Sequence, residues 1–150
     1  MSPPEVWGPP TWSFIHLLTI RIKDNLDSDI YRSVFTFIQL ICKHLPCPTC
    51  SLDATNFLSK IKLIDIRSKK KLINTFYLFH NYVNRKTGKQ IFPYGKLTNY
   101  YKLDFNASIL NFFKIYNTNG NMSLLNESFH RKLIMKDIKK WIKTNIIHYS

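Results

Sequence analysis

Two cysteines separated by two residues, Cys47-Pro48-Thr49-Cys50, are the part of this 150-residue chain best suited to chemistry. Thiols at that spacing can close a small disulfide ring. Where the pair opens a helix, the free amides of the helix N-terminus carry partial positive charge and favour a thiolate. That is redox chemistry. The same residues could instead be buried thiols or half of a zinc site. Tetrahedral zinc needs two further ligands, and the candidates Cys42, His16, His44, His80, His130 and His148 are not paired at finger spacing, so no metal site is expected. A thioredoxin-type site would place the motif after a strand, whereas the residues ahead of Cys47 recur with helical periodicity.

The elements that must position these thiols read as helices. From Pro9 to about Lys23, the residues Trp12, Ile15, His16, Leu18 and Ile22 share a helical face, and the Pro9-Pro10-Thr11 lead-in suits a helix start. Asp27-Ser28-Asp29 supplies capping chemistry for a second helix carrying Val34, Phe37, Ile38, Ile41 and Leu45, stopped near Pro46. Pro48 fits the first turn of a third helix, in which Leu52, Ala54, Phe57, Leu58 and Ile61 continue the pattern toward Lys62. Ser68 begins a fourth, with an apolar face of Leu72, Ile73, Phe76, Tyr77, Phe79, His80 and Val83, ended near Thr87-Gly88 by a glycine suited to a left-handed cap. A short fifth element is expected over Tyr94 to Leu103, a loop over Asn117 to Ser123, and a basic amphipathic helix with Leu133, Ile134, Ile138, Trp141, Ile142 and Ile146. No alternating strand pattern stands out. The expectation is an all-α fold: a compact four-helix bundle, a short fifth helix and a helical C-terminal extension.

Composition sets outer limits. With 45% hydrophobic and 15% aromatic residues, the chain is one ordinary domain with apolar mass for a core. Three cysteines are too few for a secreted disulfide framework. No apolar run reaches the roughly 18 residues that span a bilayer, and the Met-Ser-Pro-Pro-Glu start lacks a basic region before an apolar one, so neither a membrane span nor a secretory signal is expected. The default compartment is therefore the cytoplasm. The net charge of +13 invites a nucleic-acid reading, because clustered Lys and Arg release counterions from phosphates. Its concentration in Lys69-Lys70-Lys71 and in Lys132, Lys136, Lys139, Lys140 and Lys143 suits a solvated face better, and no specific nucleic-acid partner is expected. A zinc-binding or basic nucleic-acid-binding helical module without redox activity is the alternative reading.

Three blocks in order resemble the Erv/ALR FAD-linked sulfhydryl oxidases. Trp7-Gly8-Pro9-Pro10-Thr11-Trp12-Ser13-Phe14-Ile15-His16 is similar to the family's opening motif. Phe37-Ile38 followed by Leu45-Pro46-Cys47-Pro48-Thr49-Cys50 is similar to its active-site segment. His80-Asn81-Tyr82-Val83-Asn84-Arg85-Lys86-Thr87-Gly88-Lys89 is similar to its flavin-binding helix end. The resemblance implies non-covalent FAD beside the disulfide, a homodimer, and a family domain over residues 1–104 followed by an extension over 105–150 that consists of a loop and the basic helix. By position it assigns FAD contacts to Gly8, Trp12, His16, Cys50, His80, Asn81, Val83, Asn84, Lys86, Lys89 and Tyr101. Trp12 and His16 are one turn apart on a common face, as are His80 and Asn84, and either lysine could meet the pyrophosphate charge.

The resemblance also implies a mechanism. Cys47 is the interchange sulfur attacked by a substrate thiolate, Cys50 is the sulfur nearer the flavin, and the electrons pass on to O2 to give H2O2. The implied partners are thiol-containing protein substrates, among them a thioredoxin-like relay protein. This chain has Leu45 where many members have Tyr, and Tyr101 where they have Trp. Ser59 and Tyr94 stand where many cellular members have clamping cysteines. A second Cys-x-x-Cys for shuttling is absent, and the remaining thiol, Cys42, reads as a small buried core residue. Shuttle-free members of this kind are similar to those of large cytoplasmic DNA viruses, which implies the host cytoplasm or the virion as the place of action. The basic C-terminal helix is expected to pack its Trp141 and Ile138 face on the core or a dimer partner.

Overall fold

The computed structural model describes residues 4–116 and 125–149. Among these the chain forms six α-helices: α1 (Pro4–Ile20), α2 (Ser28–Cys42), α3 (Pro48–Ser59), α4 (Lys69–Lys86), α5 (Phe105–Tyr116) and α6 (Leu125–Asn145). Short 3-10 turns join them, the longest over Tyr94–Lys102 in place of the expected fifth helix. No strand occurs among the described residues, where Ile22 and Tyr149 make an isolated β-bridge. No described helix is long and apolar enough to cross a membrane.

α1 is the central element. Phe14 through Ile20 are consecutively buried, so this helix is covered on all sides and not along one stripe. It begins at Pro4 and runs through Pro9 and Pro10, not from Pro9 as the lead-in suggested. Gly8 eases the helical backbone ahead of Pro9, since it has no Cβ to meet the Pro9 ring. The Thr11 hydroxyl donates to the Trp7 carbonyl at 2.7 Å, adding a bond in the turn where the prolines remove donors.

α4 covers one side of α1 and α5 another. α5 lies in the segment read as loop plus basic helix, and its apolar residues Phe105, Ile109, Phe112 and Tyr116 do have helical spacing. The Phe112 ring stacks on Phe14 at 4.2 Å between centroids, with Tyr116 behind it at 5.0 Å. The Tyr116 hydroxyl reaches the carbonyls of Ile41 (3.3 Å) and His44 (2.7 Å), which ties α5 to the turn leading into Cys47.

α6 packs on α2. Trp141 stacks on Phe37 at 3.9 Å, and its Nε1 donates to Ser33 Oγ at 3.2 Å. Met135 and Ile138 are buried while Lys132, Lys136, Lys139, Lys140 and Lys143 are exposed, as the amphipathic pattern requires. The chain end then binds α1, with the Tyr149 hydroxyl donating to the Leu18 carbonyl at 2.8 Å. The expected loop over Asn117 to Ser123 lies outside the described residues.

Candidate active site

Cys47 is the N-cap of α3, and its Sγ accepts from the Cys50 backbone N at 3.3 Å. Pro48 occupies the first helical position, where its missing N–H costs nothing. Cys47 and Cys50 are joined as a disulfide, with Cα atoms 5.2 Å apart. The lead-in is pinned from the same helix: the Leu45 amide donates to Ser51 Oγ at 2.8 Å, and the Ser51 amide to the Cys47 carbonyl at 3.0 Å. On reduction, a thiolate at Cys47 would sit against the N-terminal amides of α3.

Behind the disulfide lies a cleft of about 110 Å³, partly open to solvent. Its walls come from Trp7, Thr11, Trp12 and Ile15 of α1, Cys42 and Leu45 at the end of α2, Cys50, Asp53 and Ala54 of α3, and Phe79, Tyr82, Val83, Asn84 and Lys86 of α4, with Thr87 and Lys89 beyond. Cys50 belongs to this wall and Cys47 does not. The two sulfurs therefore serve different surroundings.

The end of α4 is shaped by Gly88, which adopts φ +72°. The Gly88 amide donates to Arg85 O and the Lys89 amide to Asn84 O at 2.8 Å, the paired bonds of a Schellman cap. That reversal brings Lys89 back beside Asn84 and Lys86 at the cleft. Lys86 Nζ lies 3.7 Å from Asp53 of α3, joining the two helices across it.

Deeper in, Trp12 stacks face to face on His80 at 3.9 Å and 8° between planes. His80 Nδ1 and His16 Nε2 are 2.8 Å apart. Phe92 stacks on both histidines, and Tyr100 packs on His16 at 4.8 Å. Burial, reinforced by His80, lowers the His16 pKa to about 3, and burial with Lys89 nearby lowers that of His80 to about 4. Both rings are therefore neutral at pH 7, and one proton is shared between them. His16 Nδ1 is buried without a partner, which favours the tautomer in which His16 Nε2 donates to His80 Nδ1 and His16 Nδ1 carries no proton. His80 then holds its own proton on Nε2.

This pair makes stability depend on pH. The unfolded histidines bind protons near pH 6.5 and the folded ones only near 4 and 3, so the unfolded state takes up more protons in that window. Stability is full above pH 6.5 and falls as the pH drops toward 4, by a few kcal/mol as an order of magnitude. A series of denaturant melts from pH 7.5 to 4 should show this fall, and His80→Gln should flatten it. A flat wild-type profile would mean that the pair accepts charge when folded.

Of the residues assigned to FAD by resemblance, Trp12, Cys50, Val83, Asn84, Lys86 and Lys89 line the cleft, while His16 and His80 stand behind Trp12. Gly8 is not part of the wall, and apart from its chain neighbours and its own helix backbone a Cβ added there would meet nothing within 4 Å. The Asn81 side chain is committed to the backbone of Phe92, accepting from its N at 2.8 Å and donating to its O at 3.1 Å, and so positions that ring. Tyr101 is 49% exposed, and its neighbour Tyr100 is the ring that faces His16. Sequence reasoning gave no site role to Trp7, Cys42, Phe92 and Tyr100. Cys42 is buried as expected, and burial pushes its thiol up to about 12. Trp7 shares a face with Thr11 and Ile15 once the helix is known to start before Pro9. Among the described residues no group of His, Cys, Asp and Glu could hold a metal ion.

Comparison with known proteins adds an independent line. The model of the Erv1 / Alr family matches residues 9–102. Protein 347L of Invertebrate iridescent virus 6 is 33% identical over 96 residues, 60% of this chain and 86% of that protein. The FAD-linked sulfhydryl oxidase of African swine fever virus (isolate Tick/Malawi/Lil 20-1/1983) is 32% identical over 106 residues, 70% of this chain and 84% of its own. A protein of Acanthamoeba polyphaga mimivirus is 30% identical over 93 residues, 61% of this chain and 65% of its own length. No solved structure matches significantly. The matched span takes in the disulfide, the α4 helix end and most of the wall between them, and on that basis the chain belongs to the Erv1 / Alr family.

Proposed function

We infer that this chain is an FAD-linked thiol oxidase that makes disulfide bonds in protein substrates and passes their electrons to O2. The observation that carries this is the division of the disulfide: Cys47 caps α3 outside the cleft, and Cys50 forms part of its wall. The cleft's chemistry fits a flavin. Trp12, Phe79 and Tyr82 offer aromatic surface to a conjugated ring, and Lys86 and Lys89 offer cations to a diphosphate. We assign the contacts with it to Trp12, Cys50, Val83, Asn84, Lys86 and Lys89, with His16 and His80 supporting Trp12 from behind.

A substrate thiolate attacks Cys47 Sγ, the Cys47–Cys50 bond breaks, and Cys50 leaves as a thiolate on the cleft side. A second substrate thiolate then attacks the substrate sulfur of the mixed disulfide, which releases Cys47 as a thiolate and leaves the new disulfide on the substrate. The helix N-terminus stabilises the Cys47 thiolate released in the second displacement. When bound, the flavin supplies a two-electron acceptor that regenerates the disulfide and reduces O2 to H2O2.

Thiol-bearing proteins and O2 are thus the reaction partners. The finer reading, drawn from the resemblance, is a thioredoxin-like relay as thiol donor, a homodimer, a two-part chain divided near residue 104, and action on virion proteins in the host cytoplasm. An oxygen electrode tests the activity. Purified protein supplied with a dithiol should consume O2 and release an equal amount of peroxide. A folded, colourless protein that FAD does not reconstitute would overturn the reading.

A further inference from the structure

Trp7 is 6% exposed, yet its indole Nε1 is buried with no hydrogen-bond acceptor among the described residues. Leaving such a donor unpaired costs about 1–3 kcal/mol, and buried Trp normally finds a partner. Trp7 is also one of the side chains lining the cleft beside Cys50. Its neighbours one and two turns along α1 are Thr11, whose hydroxyl is spent on the Trp7 carbonyl, and Ile15, which has no polar group. This wall of the cleft therefore contains a tryptophan whose buried indole donor has no acceptor among the described residues. The cations Lys86 and Lys89 lie instead at the end of α4.

Resting on the flavin reading above, we propose that Trp7 Nε1–H is a flavin-positioning donor, hydrogen-bonded in the holoprotein to an acceptor of the isoalloxazine ring system, a carbonyl oxygen or an unprotonated ring nitrogen. Trp is a donor only, so the contact selects a ring edge that accepts and fixes which edge faces this wall. The phosphate end is served by the two lysines, which leaves the apolar α1 wall for the ring.

The chain has three tryptophans, so three indole N–H resonances can be followed in wild-type protein, with Trp7→Phe identifying its own by absence. Adding FAD to the apoprotein should move the Trp7 N–H downfield and slow its exchange with solvent. Trp7→Phe keeps an aromatic ring and removes the donor. It should weaken FAD binding about five- to tenfold, and riboflavin binding by the same factor, while the apoprotein melts no lower than wild type. An unmoved Trp7 resonance, or a variant that binds FAD within about twofold of wild type, would overturn the proposal while leaving the flavin reading intact. A loss seen with FAD but not with riboflavin would overturn the ring assignment in favour of the phosphate end. Wild-type apoprotein that takes up no flavin would sink both, and that outcome is read before any variant is made. If Trp7→Phe fails to fold, the wild-type resonance still decides.

Discussion

Cys47→Ser is expected to lower dithiol-driven oxygen uptake by roughly 10³-fold or more while the protein stays folded and keeps its flavin. The two effects separate because Cys47 has two duties. As the N-cap of α3 it accepts from the Cys50 amide, and a serine hydroxyl is among the best residues for that position. As the sulfur outside the cleft it is the electrophile for the incoming thiolate, which a hydroxyl cannot replace. Cys50→Ser should also stop turnover, but by a different route: Cys47 is left as a lone thiol, with no disulfide for a substrate thiolate to open and no sulfur on the cleft side to pass electrons on. Oxygen uptake, thermal stability and bound flavin measured on the same samples check the separation. Activity within about tenfold of wild type for Cys47→Ser would place the entry of electrons elsewhere.

Phe112→Ala is expected to destabilise the protein by about 3–5 kcal/mol, the range for emptying a large buried aromatic site. Phe112 is fully buried between Phe14 of the central helix and Tyr116, whose hydroxyl holds the carbonyls ahead of Cys47. The cavity would therefore loosen the approach to the disulfide as well as the core. Denaturant unfolding should show the loss, corresponding to a fall of about 10 °C in Tm for a chain of this size. Bound flavin should recover part of it by mass action. A cost under about 1 kcal/mol would mean that α5 is dispensable to α1.

These two positions differ in how far the sequence alone discloses them. Cys47 and Cys50 are legible because their spacing, the proline between them and the helical run on either side all specify one local arrangement. The pairing of Trp12, His16 and His80 is legible only through the family resemblance, since a Trp and two His on helical faces otherwise read as ordinary core. α5 escapes although Phe105, Ile109, Phe112 and Tyr116 recur at helical spacing, because an amphipathic stripe shows that a face is buried but not which partner covers it. The need for it is written in α1, where Phe14, Leu17 and Ile20 are apolar outside the stripe of Trp12, Ile15, Leu18 and Ile22. Trp7 escapes for a local reason. Proline normally marks the first turn of a helix, and here the helix runs through two of them. The role of Phe92 depends on a long-range contact, the Asn81 amide gripping its backbone from α4, that no local pattern announces.

The most direct test of the account is an anaerobic titration of the purified protein with a dithiol, followed through the visible absorption of oxidised flavin. The account predicts that the wild type takes up two dithiol equivalents per chain, one for the Cys47–Cys50 disulfide and one for the flavin. The flavin band should bleach with them and return when O2 is admitted. In Cys47→Ser the band should stay. A wild-type protein whose flavin remains oxidised in excess dithiol, with Cys47 and Cys50 reduced, would show that the disulfide and the cleft do not exchange electrons and would contradict the account.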